Sequence, residues 1–283
     1  MAEYHHTEGI CLRRIEFSNT SQVASFLTPD TGRLSVIAKG VTRAPKKGIR
    51  TGFDLLGRYE LIYTTRRFGS LQNLTYRWLE EDFRGMRLAL QRVLCGYYAA
   101  ELALNFVAEG DPCPGLYKLM LGSLRSFAAG RKLGGTVLLM ELGVLHEHGS
   151  LPRFDACAEC GGALPSRGPV AFSPTGGGAL CRRCEAALRA DLGGRVTSVR
   201  PDVLKGLAAL AATGGGAKEA PAPPPRKMLA MSGLLRVHMR SLLGKELRMW
   251  KYLQRQELSR SLRRLRRRRT ACGTDSGSGA WSP

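Results

Sequence analysis

Four cysteines in two closely spaced pairs constrain the fold of this chain more than any other feature. The pairs are Cys157-x-x-Cys160 and Cys181-x-x-Cys184, with twenty residues between them. A tight turn at each pair directs two thiolates toward one ion, and two such turns placed face to face form a tetrahedral zinc site. The residues between the pairs predict a short hairpin, with strands at 170–172 and 178–180. The spacing therefore predicts a small module that contains one structural Zn2+ ion.

Two disulfides, or four unrelated buried thiols, are the alternatives to a metal. The chain begins without a basic segment followed by an apolar one, so we expect no secretory signal. The longest nearly apolar run, 133–145, is too short to cross a bilayer and contains Glu141. We therefore expect a cytoplasmic protein with reduced thiols, which favours zinc over disulfides. The remaining cysteines are expected to be buried or incidental thiols: Cys11, Cys95, Cys113 and Cys272.

Sequence patterns that indicate catalysis are missing. Four cysteine ligands close the metal shell, whereas a catalytic zinc keeps one position open. The triplet at 146–148 does not match the nucleobase deaminase signature, because neither cysteine pair follows a proline. The chain has no Gly-x-x-x-x-Gly-Lys-[Ser/Thr] phosphate loop and no cluster of carboxylates such as metal-dependent nucleases need. We therefore predict a binding protein and not an enzyme.

The charge distribution predicts a polyanionic partner. The 283 residues carry a formal net charge of +20. Residues 226–269 contain 15 basic and 2 acidic residues, a net charge of +13, and residues 1–79 contribute a further +6. The middle of the chain is close to neutral. Nucleic acid is favoured over a membrane surface, because the arginine run near the end has only leucines as an apolar face and no aromatic anchor.

Residues 9–76 predict a small all-β unit. Five short runs rich in branched and aromatic residues lie at 10–15, 22–27, 33–38, 58–65 and 70–76, and turn signals separate them. Five strands in fewer than 70 residues favour a Greek-key barrel of the OB type. The boundaries predict an N-terminal nucleic-acid-binding domain over residues 1–79.

Helical periodicity follows from residue 80, where Glu80, Glu81 and Asp82 are expected in a first helical turn. Further helices are predicted at 116–129, 137–146, 201–212, 228–243 and 247–253. The resulting helical domain, 80–255, contains the zinc module at about 156–187 and a Gly- and Pro-rich flexible insertion at about 213–227. Residues 256–283 are predicted to form a basic, disordered tail. The predicted fold class is α+β.

The loop after the third strand is the first candidate DNA-binding segment. Long basic side chains on a glycine-containing loop follow a phosphate backbone without requiring one base sequence. Its basic residues are Lys39, Arg43, Lys46, Lys47 and Arg50. Nearby aromatics are candidates for stacking on bases, although most are expected in the barrel core: Phe17, Phe26, Tyr59, Tyr63, Phe68 and Tyr76. The tail supplies a second candidate set: Arg263, Arg264, Arg266, Arg267, Arg268 and Arg269.

Several of these segments together resemble the RecO family of bacterial DNA repair proteins. The resemblance rests on Leu12-Arg13-Arg14, on the strand–turn–strand of residues 27–40, and on the cysteine block at 157–162. It also includes Phe172-Ser173-Pro174 before the second cysteine pair, and residues 242–248 in the closing helices. The likeness covers roughly residues 8–255. The insertion and the arginine tail look longer and more basic than the family requires.

The resemblance implies an OB-fold followed by a helical domain with an embedded zinc module. It implies a non-enzymatic recombination mediator, cytoplasmic and nucleoid-associated, that binds single- and double-stranded DNA and anneals complementary strands. The implied protein partners are RecR, single-strand-binding protein and, indirectly, RecA. By motif match, DNA-facing residues would be Arg33, Lys39, Arg43, Lys46 and Lys47. A zinc-ribbon RNA-binding or transcription-associated protein is the alternative function, and an undetected nucleic-acid enzyme is a further one.

Overall fold

The computed structural model describes residues 3–41, 52–65, 71–191, 196–212 and 223–254. Its N-terminal part is a closed five-stranded barrel with the strand order β1-β2-β3-β5-β4. Neighbouring strands are antiparallel except for β3 and β5, which are parallel. This is the OB topology, as predicted. The strands are β1 (Tyr4–Ser18), β2 (Ser21–Thr28), β3 (Gly32–Ala38), β4 (Arg58–Thr64) and β5 (Leu71–Glu81).

Strand β1 closes the barrel because its two halves pair with different neighbours. Residues from Tyr4 to Ile10 pair with β4, and residues from Ile10 to Ser18 pair with β2. A register shift between Cys11 and Arg13 marks the bend between the two halves. The predicted strand at 10–15 therefore lies within β1 but is shorter than β1. The reason is that only the central part of β1 has an apolar inner face.

The acidic triplet is not the start of a helix, as the sequence had predicted. Glu80 and Glu81 belong to β5, and a 3-10 helix (Arg84–Leu88) separates this strand from the first α-helix. The strand extends this far because Leu79 pairs with Tyr59 and packs on the barrel core. Glu81 forms an ion pair with Arg125 at 2.8 Å, and this ion pair joins the barrel to the helical part.

The helical part begins at residue 90 and continues to the end of the described chain. Its helices are α1 (Leu90–Phe106), α2 (Pro114–Ala129), α3 (Leu133–Glu147), α4 (Arg182–Asp191), α5 (Pro201–Ala212), α6 (Pro225–Leu243) and a further segment at 248–254. The predicted flexible insertion at 213–227 is too long at its end, because α6 already begins at Pro225, and residues 213–222 lie outside the described residues. Helix α6 ends at Leu243, and the following Gly244 adopts a left-handed φ of 65°.

One side of the barrel packs into the hydrophobic core of the helices, whereas the barrel interior has a separate core of its own. Ile10, Leu12 and Leu27 from the barrel pack in the same buried cluster as the apolar faces of α1, α2 and α3. The backbone next to the β2–β3 turn is hydrogen-bonded to the loop after α1, since Arg33 N donates to Ala108 O at 3.0 Å. Gly32 has a φ of 60°, and a Cβ at this position would overlap the Asp111 carbonyl oxygen. The barrel is thus held in a fixed position on the helices.

A buried carboxylate links three helices of this core. Glu141 of α3 is fully buried and accepts hydrogen bonds from the Tyr98 hydroxyl at 2.7 Å and the Ser232 hydroxyl at 2.6 Å. Burial and the neighbouring carboxylate raise the pKa of Tyr98, so this phenol remains a donor at neutral pH. The network therefore fixes α1, α3 and α6 relative to one another.

Removing one donor from this network is expected to destabilise the protein. The change Tyr98→Phe deprives the buried Glu141 of a hydrogen bond, and we expect the free energy of unfolding to fall by about 1–3 kcal/mol. Urea unfolding measures this loss. Tyr97→Phe on the same helix is the matched control, because Tyr97 is partly exposed and should change stability by less than about 0.5 kcal/mol. Equal stability of the two variants would contradict the network.

Candidate metal centre and nucleic-acid interface

The four cysteines of the two predicted pairs come together in the structure. Their Sγ atoms all lie within 4.8 Å of one another. The Sγ atoms of Cys160 and Cys181 are 3.7 Å apart. Sulfurs at about 2.3 Å from one tetrahedral Zn2+ ion are about 3.8 Å from each other, so the observed spacing fits this ion. The donor set of four thiolates also suits zinc better than a hard cation.

Backbone hydrogen bonds shape the first cysteine pair into a tight turn. Gly161 N donates to Cys157 O at 2.9 Å, and Cys157 N donates to Gly162 O at 2.8 Å. Gly161 has a φ of 69°, which favours glycine. The turn is attached to the hairpin by Ala158 N, which donates to Ala179 O at 2.8 Å. Both thiols of the pair are thereby directed to the same point.

The pKa values of two of the clustered cysteines shift in opposite directions. Burial raises the pKa of Cys157, but backbone amides of Cys160, Cys181 and Glu159 outweigh it and lower that pKa to about 6. Hydrogen bonds with the Cys160 and Cys181 thiols raise the pKa of Cys184 to about 12. At neutral pH the Cys184 thiol therefore carries a proton that a metal ion must replace. A divalent ion that replaces this proton would be held by four thiolates.

The predicted hairpin between the pairs is confirmed and is part of a larger sheet. Strands β6 (Val170–Ser173), β7 (Gly178–Leu180) and β8 (Thr197–Val199) form an antiparallel sheet in the order β7-β6-β8. Strand β8 and helix α4 were not predicted from the sequence. Cys157 is buried against Ala171 of β6 and Leu180 of β7. Four cysteine ligands would leave no open position on a tetrahedral ion, which is the pattern of a structural site.

A buried histidine attaches the cysteine module to α6. The Nδ1 atom of His238 lies 2.8 Å from Pro174 O, and its Nε2 atom lies 2.9 Å from Ser150 O. Carbonyl oxygens only accept hydrogen bonds, so the ring donates to both when each nitrogen carries a proton. Pro174 belongs to the hairpin turn and Ser150 follows α3. One side chain therefore joins the module to two elements of the helical part.

The predicted DNA-binding residues are only partly within the described chain. Lys39 follows β3 and is exposed. The other basic residues of the loop and the tail lie outside the described residues: Arg43, Lys46, Lys47, Arg50, Arg263, Arg264, Arg266, Arg267, Arg268 and Arg269. The Arg33 side chain is 32% exposed and is held by contacts within the molecule: its Nη1 atom donates to Leu104 O at 3.0 Å, and its Nε atom lies 3.6 Å from Glu109. We therefore leave Arg33 out of the proposed DNA surface.

The structure separates the aromatic residues of the barrel into core and surface. Phe26, Tyr59 and Tyr63 are buried, as expected for most of this set. Phe17 and Tyr76 are exposed by 65% and 45%, respectively. Phe68 lies outside the described residues. Stacking on bases therefore has two candidates among the described aromatics of the set, Phe17 on β1 and Tyr76 on β5.

The strand register brings Phe17 and the start of the basic loop to the same end of the barrel. Gln22 pairs with Ala38, so the β1–β2 turn lies beside the end of β3, where Lys39 follows. One row of the sheet contains Ile15, Val23 and Ile37 in direct cross-strand pairing. Ile15 is exposed by 46%, and this row leads to the exposed Phe17. OB-folds bind oligonucleotides on their second and third strands and on their β1–β2 loop, which is the same region.

We call the surface formed by Arg13, Ile15, Phe17, Val23 and Lys39 the barrel-end surface. It combines exposed apolar groups with two cationic side chains, and Arg13 and Lys39 are both exposed. Arg13 and Ile15 are not among the site residues that the sequence predicts. The sequence does contain one signal for this surface, since Phe17 directly precedes the Ser18–Asn19 turn, where strand side chains leave the core.

Comparison with known proteins identifies the family of this chain. The family model "Recombination protein O N terminal" matches residues 1–80, and "Recombination protein O C terminal" matches residues 87–251. The chain belongs to the RecO family. The barrel-end surface lies within the N-terminal match, and the four cysteines lie within the C-terminal match. Membership places the chain among proteins of DNA repair and recombination. Both matched RecO regions end before the arginine-rich residues 260–269.

Curated relatives carry the same family name. A protein of Anaeromyxobacter sp. (strain K), named DNA repair protein RecO, is 34% identical over 179 residues, which cover 62% of this chain and 68% of that protein. A namesake from Anaeromyxobacter sp. (strain Fw109-5) is 33% identical over 66% of this chain and 73% of its own length. The RecO protein of Rubrobacter xylanophilus is 32% identical over 64% of this chain and 72% of its own length.

The described part of this RecO-family chain contains no helix that is long and apolar enough to span a membrane.

Proposed function

We propose that the protein is a DNA-binding recombination mediator that acts without catalysing a reaction. It binds single- and double-stranded DNA, anneals complementary strands and, with RecR, helps to load RecA onto DNA coated by single-strand-binding protein. The observation that supports this most directly is the barrel-end surface, where the exposed Phe17 lies at the same end of the barrel as Lys39, the start of the basic loop. In this proposal the barrel, residues 1–79, is the DNA-binding domain and residues 80–255 support it.

The proposed mechanism rests on charge neutralisation and base stacking. Two DNA strands repel each other, and lysines and arginines that contact their phosphates reduce this repulsion by releasing counterions. We assign this role to Lys39, Arg43, Lys46, Lys47 and Arg50, with the tail arginines as a further contact. Phe17 offers an exposed ring on which one base stacks without sequence preference. Bases held apart from their own strand are then free to pair with a complementary one.

The cysteine centre has a supporting role in this proposal. We propose that Cys157, Cys160, Cys181 and Cys184 hold one Zn2+ ion, which supplies cross-links between the two cysteine turns and no reactive group. The Arg183 guanidinium lies beside the Cys160 sulfur, which raises the pKa of this arginine. A cation at this position offsets part of the negative charge of a zinc–tetrathiolate centre.

A strand-annealing assay with the full chain tests the proposed function. We expect the protein to accelerate the pairing of complementary oligonucleotides, including strands coated with single-strand-binding protein, and to retain RecR and single-strand-binding protein in a pull-down. Competition with structured RNA tests the alternative of an RNA-binding protein. If structured RNA displaced the DNA at equal concentration and annealing were absent, the proposed function would be wrong.

The change Phe17→Ala is expected to weaken single-strand binding selectively. Loss of one stacked base costs about 1–3 kcal/mol, which corresponds to a roughly 5- to 150-fold increase in the Kd for single-stranded DNA. Fluorescence anisotropy with a labelled oligonucleotide measures the Kd. Tyr4→Ala is the matched control, because Tyr4 is equally exposed, by 67%, but lies on β1 where it pairs with β4. Equal losses for both variants would contradict the assignment of Phe17.

A further inference from the structure

A second exposed surface of the barrel combines aromatic rings with carboxylates. It lies on strands β4 and β5, where Trp78 is exposed by 60% and Tyr76 by 45%. Trp78 pairs directly with Glu60, and Tyr76 pairs with Ile62. Glu80 follows Trp78 by two residues and is exposed. We call the surface formed by Glu60, Ile62, Tyr76, Trp78 and Glu80 the acidic aromatic face.

This face is distinct from the barrel-end surface and has the opposite charge character. The barrel-end surface lies on β1, β2 and β3, whereas the acidic aromatic face lies on β4 and β5, the two other strands of the closed barrel. Glu60 of β4 lies 2.7 Å from His6 of β1, and Glu8 of β1 lies 2.5 Å from Arg58 of β4. Carboxylates repel phosphate groups, so DNA is not the ligand of this face. Large exposed aromatic side chains next to carboxylates instead suit a cationic, arginine-rich ligand.

We propose that the acidic aromatic face binds the arginine-rich segment 260–269 of the same chain. This segment contains seven arginines and no acidic residue. A guanidinium stacks on a tryptophan or tyrosine ring and pairs with a carboxylate at the same time, which a lysine does less well. Trp78 beside Glu60 and Glu80 offers both partners within one short stretch of sheet.

Chain length and covalent attachment support an intramolecular contact. The described chain ends at residue 254, and the fifteen residues from there to Arg269 span up to about 50 Å when extended. A folded chain of this size has a diameter of similar magnitude, so the segment reaches the barrel. Attachment through a short linker raises the effective concentration of the segment to the millimolar range, which favours its own barrel over a second molecule.

The contact has a consequence for DNA binding. Arginines that occupy the acidic aromatic face are not available to phosphates, and DNA must compete for them. The tail would therefore be masked in the free protein and released on DNA. Neutralising the face should raise the affinity for DNA by about 3-fold, because a larger fraction of molecules then has a free tail.

Fluorine NMR on the full chain tests the contact without any reliance on DNA binding. The chain has three tryptophans, Trp78, Trp250 and Trp281, and 5-fluorotryptophan reports on each. Trp78→Phe and Trp281→Phe assign the signals. We expect the Trp78 resonance to move when the tail arginines 263, 264 and 266–269 are changed to serine. In the unchanged chain, 1 M NaCl should move it to the same position, because salt screens the contact.

Three outcomes would overturn the proposal. One is an identical Trp78 resonance at low salt in the parent chain and the serine variant. Another is a resonance that shifts on tenfold dilution, which would assign the contact to a second copy of the chain. The third is a resonance that moves only after addition of a basic partner protein, since the tail would then not be the occupant.

A second measurement separates this contact from a general charge effect. The pair Glu60→Gln and Glu80→Gln is expected to raise the affinity for single-stranded DNA by about 3-fold, and to have no effect when the tail arginines are already serine. The control pair is Glu185→Gln and Asp202→Asn, which removes the same charge from exposed ion pairs on α4 and α5. An equal gain from the control pair, or a gain that persists without the tail arginines, would contradict the contact. If no variant or parent binds DNA, the proposed function fails, whereas the NMR result on the tail stands by itself.

Discussion

The change Cys157→Ser is expected to abolish metal binding and to destabilise the helical part of the protein severely. The parent chain should contain one zinc ion, and the variant should contain less than about 0.1. Cys157 is fully buried against the β6–β7 hairpin, so its loss leaves three sulfurs that cannot complete a tetrahedral shell. Structural zinc contributes about 10 kcal/mol or more to the folding of small modules, and here we expect at least 3 kcal/mol of that to be lost.

Elemental analysis and thermal unfolding measure these two effects. A loss of 3 kcal/mol corresponds to a fall in Tm of about 6–12 °C for a chain of this size. Cys113→Ser is the matched control: this thiol is also buried, but it lies near Thr28 O at 3.7 Å and far from the cysteine cluster in sequence. It should retain one zinc. Full metal content in Cys157→Ser, or two disulfides in the parent chain under native conditions, would rule out the zinc centre.

The same variant separates stability from DNA binding. At temperatures below its transition, Cys157→Ser should bind single-stranded DNA with a Kd within about 3-fold of the parent chain. The reason is that the barrel has its own core of Phe26, Phe53 and Tyr59, whose ring centroids are 5.2 to 5.9 Å apart. A loss of DNA binding by the folded variant would instead place the DNA contact at the metal centre.

Replacement of the four loop cations is expected to have the second large effect. The variant Lys39→Ala, Arg43→Ala, Lys46→Ala, Lys47→Ala removes four phosphate contacts in the proposed interface. On single strands, each contact contributes about 0.7 to the slope of log K against log salt, so the slope should fall by about 3. We expect the affinity at low salt to fall by roughly 100-fold, and strand annealing to fall with it.

Salt titration of DNA binding is the measurement that identifies the cause. A control with the same charge change replaces Arg131, Lys132, Arg167 and Lys205, which lie on the helical part and the cysteine module. This control should change the slope by less than about 1. If the loop variant kept both its slope and its annealing rate, the basic loop would not be the DNA contact.

The cysteine cluster could be predicted almost completely from the sequence. Two Cys-x-x-Cys pairs restrict the chain to two tight turns, and the glycine-containing turn after Cys160 fits this geometry. The five barrel strands were predictable for a similar reason, because each contains a short apolar run between turn signals. Strand β8 was not, since Thr197-Ser198-Val199 is three residues long and its pairing with β6 is a tertiary effect.

The residues that are hardest to predict are those whose environment depends on distant parts of the chain. Arg33 was expected to face DNA; its side chain contacts Leu104 and Glu109, which lie some 70 residues later, and its contact with DNA stays a prediction. Glu80 and Glu81 have the composition of a helix start, but β5 continues through them because it pairs with β4. In the same way, Phe17 became a stronger candidate than Tyr59 only through its exposure. Local pattern predicts elements, whereas contact between elements decides which side chains are free.

Photo-crosslinking of DNA to the intact protein tests the central claim, that DNA binds at the barrel end, most directly. A single-stranded oligonucleotide with 5-iododeoxyuridine at several positions is irradiated with the full chain at physiological salt, and the attached peptides are identified by mass spectrometry. The proposed interface predicts crosslinks at Phe17 and in the peptides that contain residues 39–50. Crosslinks confined to the helical part beyond residue 90, with none on the barrel, would contradict it.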